Sequence, residues 1–169
     1  MGFEIPKEIS PHAIRTVKIG ATAAEGGTRT STVTVGGATA MPFHSFEGRM
    51  PFRPVVAMEV FDAPPKRYPK GLMDVYGDVL DKPVEMARRC VDQFGAEMIS
   101  VRLDGTHPDR GDKSPEAAAE LVKAVLAAVG VPLIITGHSN FTKINDVLRK
   151  IAEATAGENC LINWAEKDN

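Results

Sequence analysis

The chain has 169 residues, 43% hydrophobic and 25% charged, which is apolar material for one core plus an extension. With 20 basic against 22 acidic residues and an isoelectric point near 6.1, it carries no electrostatic footprint for nucleic acid or an anionic membrane. No run approaches the roughly 18 apolar residues of a membrane span, and MGFEIPKEIS lacks the apolar stretch of a signal peptide, so a cytoplasmic protein is expected.

Residues 1–54 form an extension rich in Thr, Gly and Pro. Val17, Ile19 and Ala21 alternate, as do Val33 and Val35, around Glu25-Gly26-Gly27, which predicts a β-hairpin. A lone hairpin is marginal, so it is expected to pack on the following domain or on a partner. From Val55 to Asn169 one unit recurs: a short β-branched run, a polar loop, an amphipathic helix, then glycine. The strand runs are Val55–Phe61, Met98–Leu103, Leu133–Thr136 and Cys160–Trp164, each too short to be a helix. A first helix is predicted over Lys82–Phe94, capped by Asp81, with Val84, Ala87, Val91 and Phe94 on its apolar face and Gly95 ending it. A second spans Pro115–Val129, with Ser114 as cap and Gly130 as terminator. A third presents Ile144, Val147, Leu148, Ile151, Ala152 and Thr155 as a stripe before Gly157. Cys90, inside a helical pattern, and Cys160, opening a strand, read as buried thiols rather than a disulfide pair.

Four strands and three helices fill residues 55–169, whereas a closed (βα)8 barrel takes about 250 residues. The fold class is therefore α/β, the first half of a (βα)8 TIM barrel with an N-terminal β-hairpin extension. An open parallel sheet exposes apolar surface and free edges, so either the polypeptide continues or a partner completes it. A small doubly wound sheet is the alternative and requires helices on both faces.

In either architecture ligands meet the carboxyl ends of the strands. Polar residues gather there: Asp62-Ala63-Pro64-Pro65 after the first strand, Asp104 to Lys113 after the second, Gly137-His138-Ser139-Asn140 after the third, and Asn163, Glu166 and Asn169 around the fourth. The loop after the second strand exceeds the usual 2 to 6 or so residues of a βα connection, which favours function over mere connection. Asp62, Asp104, Thr106, His107, His138, Asn140 and Asn163 are the candidate cofactor-binding set. His107 and His138 lack a third ligand at metal-site spacing, so an orienting hydrogen bond is the plainer role. His138 and Ser139 are sequence neighbours that point apart along extended chain, which argues against a nucleophile and its base. No glycine-rich phosphate cradle follows a strand. Two cysteines cannot hold an iron-sulfur cluster, which assigns any cluster to another chain. Glu59 and Arg102 fall inside neighbouring strands, where charge needs a partner. Pairing with each other as core support is expected, with an Arg102–Asp104 contact as competitor.

Whole segments carry a further signal. RPVVAMEVFDAPP, the block YGDVLDKPVEMARRCVDQFGAEMISVRLDGTHPDRGDKSPEAAAELVKAVL, VPLIITGHSNF and ENCLINWAEKDN resemble the small, or delta, subunit of the corrinoid iron-sulfur protein of the acetyl-CoA synthase/decarbonylase system, and KIGATAAEGGTRTSTVTVGG resembles that family's N-terminal extension. Length departs, because the family's second half-barrel is missing. The resemblance implies a TIM barrel related to pterin-dependent methyltransferases and a heterodimer with a large subunit holding the corrinoid and an iron-sulfur cluster. It implies a role in carbon fixation by the acetyl-CoA pathway: cobalt takes a methyl group from a methyltetrahydropterin, through its methyltransferase, and passes it to acetyl-CoA synthase. In the related methyltransferases Asp and Asn at strand ends hold the pterin, and Asp62, Asp104, Asn140 and Asn163 are the matching candidates here. The expectation is a noncatalytic barrel mouth that covers the partner-held corrinoid. A pterin-binding methyltransferase and a structural interaction module are the alternatives.

Overall fold

The computed structural model describes residues 2–165. The chain divides into two compact units, one built from residues up to Lys18 with Thr34–Val55, the other from Ile19–Val33 with the chain from Val56 onward. Strands β1 (Val17–Ile19) and β2 (Val33–Val35) pair in a two-stranded sheet, as the alternation predicts. The connection between them is longer than a tight hairpin turn. It contains a 3₁₀ turn, Ala23–Glu25, ended by Gly26 at φ 88°. The first unit also holds a 3₁₀ segment, Pro42–Glu47, absent from the sequence reading, with Phe43 and Phe46 exposed.

Within the second unit, β3 (Ala57–Phe61), β4 (Met98–Arg102), β5 (Leu133–Thr136) and β6 (Leu161–Asn163) form one parallel sheet in sequential order. The α/β class and all four predicted strands are present, Leu133–Thr136 with the predicted bounds and the other three trimmed at their ends. Helices α1 (Lys70–Tyr76), α2 (Pro83–Asp92), α3 (Pro115–Ala128) and α4 (Phe141–Ala154) link them. Helix α1 was not predicted: seven residues with Gly71 among them are too few to display a helical period.

The register puts Glu59, Ser100, Ile134 and Leu161 in one row and Phe61, Arg102, Thr136 and Asn163 in the next, on one face of the sheet. The opposite face carries Val60, Ile99, Val101, Leu133 and Ile135, all fully buried. There α2 packs on α3 and α3 on α4 in a single helical layer. A doubly wound sheet would need a second helical layer on the polar face, and none is present among the described residues. Strand β6 is barely covered, with Leu161 37% and Ile162 39% exposed.

In each of the three predicted helices the structure corrects a local expectation. Helix α2 starts at Pro83 without a side-chain cap from Asp81, since the N-cap position is taken by Lys82, whose side chain has no acceptor for the first-turn amides. It buries Met86, Ala87 and Cys90, while Phe94 lies past the last helical residue, leaves the stripe and stacks edge-on against Tyr76 at 5.7 Å. Gly95 does end the helix, at φ 64°, with Gly95 N donating to Val91 O and Ala96 N to Cys90 O. Helix α3 is capped by Ser114, whose Oγ accepts from Ala117 N at 3.1 Å, but it ends because Val129 turns extended and not because of Gly130. Glycine at 130 serves close approach instead: a Cβ there would lie 2.2 Å from Thr30 Oγ1. In α4, Ile144, Val147, Leu148 and Ile151 are buried as expected, as is Thr155 at its C-cap, whereas Ala152, at the margin of the stripe, is exposed. Cys90 is buried and Cys160 half-buried, both as free thiols. No helix among the described residues is long and apolar enough to cross a membrane.

Candidate functional site

Parallel strands end together, so the residues just past β3, β4, β5 and β6 meet along one rim. Asp62 follows β3, Asp104, Thr106 and His107 follow β4, His138 and Asn140 follow β5, and Asn163 ends β6. All seven candidates therefore lie on the predicted rim, while Glu166 and Asn169 fall outside the described residues. They differ in depth. Asp62, Thr106 and His138 are buried, Asp104, His107 and Asn140 half-buried, and Asn163 exposed.

The two histidines stack edge to face with ring centroids 5.0 Å apart. Each is oriented by a backbone amide, since His107 Nδ1 accepts from Asp109 N and His138 Nδ1 accepts from Asn140 N, both at 3.1 Å. With Nδ1 an acceptor, neutral His138 carries its proton on Nε2 and donates it to Thr106 Oγ1 at 2.8 Å. The Thr106 hydroxyl in turn donates to Leu103 O at 2.8 Å. This chain ties the loop after β4 to the start of α4, where Asn140 Oδ1 accepts from Lys143 N as the helix cap.

Burial, with the neighbouring His107 and Lys143 adding to it and Asp104 opposing, holds the His138 imidazole below its ordinary pKa. The folded state thus resists protonation where the unfolded chain, near 6.5, accepts it. The contribution of His138 to stability is complete above that range and declines as pH falls through the lower, folded value. Urea unfolding between pH 7.5 and 5 should show this loss, and His138→Gln should flatten it; parallel curves for the two proteins would refute the assignment.

Asp104 is held by two guanidinium groups, Oδ1 by Arg102 Nε at 3.1 Å and Oδ2 by Arg110 at 2.6 Å. Arg102 also reaches Glu59 Oε2 at 3.5 Å. Both expected contacts of Arg102 are therefore made at once. Its side chain is 41% exposed, so it is a wall of the rim and not a core support. A cavity of about 330 Å³ opens between these groups, lined by Arg102, Asp104, His107, Arg110, His138 and Trp164 among others. Sequence reasoning assigned no role to Arg110 or Trp164. Trp164 closes the predicted fourth strand, and its approach to Gly137, where a Cβ would lie 3.1 Å from Trp164 Cβ and Cγ, makes it a wall of the mouth. No cluster of three or more His, Cys, Asp or Glu fit for a metal occurs among the described residues.

The mouth is lined by guanidinium, imidazole and carboxylate groups held by hydrogen bonds within the chain.

Residues 16–169 match the family of the CO dehydrogenase/acetyl-CoA synthase delta subunit. Among curated relatives, acetyl-CoA decarbonylase/synthase complex subunit delta of Archaeoglobus fulgidus is 40% identical over 98% of this chain and 36% of its own length. The proteins of the same description from Methanocaldococcus jannaschii and Methanothermobacter thermautotrophicus are each 40% identical, over 96% and 98% of this chain and 39% and 41% of theirs. The chain thus spans about two fifths of the length of the curated relatives it matches.

Proposed function

The chain belongs to the CO dehydrogenase/acetyl-CoA synthase delta subunit family, and from that premise we propose that it forms part of a noncatalytic small subunit whose barrel mouth covers a corrinoid held by a partner. The sequential parallel order, with helices on one face and a polar opposite face, supports a half-barrel whose polar face becomes the interior on closure. In this reading the partners are the corrinoid iron-sulfur protein large subunit, which also carries the cluster, the methyltetrahydropterin methyltransferase and acetyl-CoA synthase, all cytoplasmic. The corrinoid supplies the cobalt that carries the methyl group. His107, Arg110 and Asn163 would meet its amide fringe, and Asp62, Asp104, Thr106, His138 and Asn140 would hold the mouth in shape. The contribution of this chain is positioning and exclusion of water.

One observation carries the reading against a pterin-binding enzyme. The side chains best suited to grip a pterin are already engaged inside the chain: Asp62 by the Gly105 amide, Asp104 by two arginines, Asn140 by the start of α4. A catalyst keeps such groups available for substrate, whereas a cover benefits from a rim that is already rigid. The test is calorimetric titration of methyltetrahydrofolate into a full-length delta subunit, alongside its methyl-transfer rate with the large subunit. No saturable pterin binding and a faster transfer in the presence of the delta subunit are expected. Stoichiometric pterin binding, abolished by Asp104→Ala, would replace the cover with an enzyme.

A further inference from the structure

The loop between β4 and α3 carries Asp104, His107 and Arg110 to the mouth, and it is fastened near both ends to one residue. Asp62 Oδ1 accepts from Gly105 N at 2.7 Å, near the start of the loop. The backbone carbonyl of Asp62 accepts from Lys113 Nζ, at the end of the loop. Lys113 N donates to Gly105 O at 3.1 Å, which joins the two ends to each other. Gly105 permits this approach because a Cβ there would lie 2.6 Å from Asp62 Oδ2. Between the fastenings the backbone is forced: Asp112 sits at φ 51°, a conformation non-glycine residues seldom adopt, and its carboxylate is tied to Lys143 of α4.

The Asp62 side chain is fully enclosed, and its Oδ2 is buried without a hydrogen-bond partner, with Lys113 Nζ 3.7 Å away. A carboxyl in that position is costly, and packing alone does not call for one. Burial pushes its pKa up, against the Gly105 amide and Lys113, which pull it down. A group enclosed this fully does not touch a ligand at the mouth.

We propose that Asp62 is the positioning residue of the recognition loop, acting through the Gly105 amide and Lys113 to hold residues 104–113 as a closed ring with His107 and Arg110 facing the partner. The partner side of this statement rests on the cover reading; the loop side does not. Deuterium exchange of residues 104–113 and affinity for the purified large subunit would be measured on full-length delta subunit carrying Asp62→Ala, Asp62→Asn or Lys113→Met. Asp62→Ala is expected to raise loop exchange and weaken binding by about tenfold, as loss of a buried hydrogen bond to a charged group implies. Asp62→Asn, whose amide oxygen replaces Oδ1, should keep both within about threefold. Lys113→Met frees the far end and removes the cation beside Asp62 Oδ2 while leaving the Gly105 amide on Oδ1, so a faster-exchanging loop there supports the ring even if Asp62→Ala fails to fold. A loop as protected in Asp62→Ala as in the native protein overturns the proposal. So does Asp62→Asn binding as weakly as Asp62→Ala with its loop intact, since the charge itself would then meet the ligand. If native protein does not bind the large subunit while the exchange differences stand, the cover reading falls and the latch remains.

Discussion

Arg29→Met is expected to cost about 3–5 kcal/mol of folding stability, because it leaves a half-buried carboxylate and several buried carbonyls without their cation. Arg29 is only 4% exposed. Its guanidinium donates to the carbonyls of Leu126, Val129 and Val131, where α3 ends and the chain turns toward β5, and its Nε pairs with Glu158 at 3.0 Å. A cation there meets the carbonyls a helix leaves unpaired at its C-terminus, and it meets them with a planar fork that lysine cannot reproduce. Burial would raise the pKa of Glu158, but hydrogen bonds from Thr28 together with Arg29 hold it below the usual carboxylate range. Around this centre Gly20 N donates to Asn159 O and Thr30 N to Gly130 O, so residues 19–33 close the amino ends of β5 and β6, opposite the candidate site. Urea unfolding of Arg29→Met and Arg29→Lys would measure the effect. Losses under about 1 kcal/mol in both would mean that water replaces the guanidinium and that this closure is not built on Arg29.

Truncation of α4 is the second large effect. Ile144→Ala or Ile151→Ala should each cost about 2–5 kcal/mol, since both side chains are fully buried and a cavity replaces each of them. Ile144 has a second consequence. Its Cγ1 fills the space beside Gly137, where a Cβ would lie 2.7 Å away, and Gly137 directly precedes His138. Ile144→Ala should therefore loosen the rim as well as the core, and Ile151→Ala, one turn from the far end of the helix, only the core. Equilibrium unfolding with near-ultraviolet circular dichroism of Trp164 would separate the two. An unchanged Trp164 signal in a destabilised Ile144→Ala protein would show that core and mouth are independent.

The sequence by itself determined the strands, three of the four helices and the rim on which the polar residues gather. Each of these rests on local rules: β-branched runs too short for helices, a 3.6-residue stripe in α4, a serine before a proline at the start of α3, and parallel strands that must end on the same side. What only the tertiary structure decided is which of those polar groups remain open. Asp62, Asp104 and Asn140 look alike in sequence as hydrogen-bonding residues at strand ends. Gly105 is brought to Asp62 by the neighbouring strand and its loop, and Arg110 to Asp104 by closure of that loop, while Arg102 and Lys143 meet Asp104 and Asn140 locally. The purpose of Gly130 and the burial of Arg29 were hidden for the same reason, since the groups that meet them lie about a hundred residues away along the chain. Local propensity sets where an element starts and which way it faces. Satisfaction of a buried charge or of a missing Cβ is a property of the packed whole, and it becomes readable only when distant segments have been placed side by side.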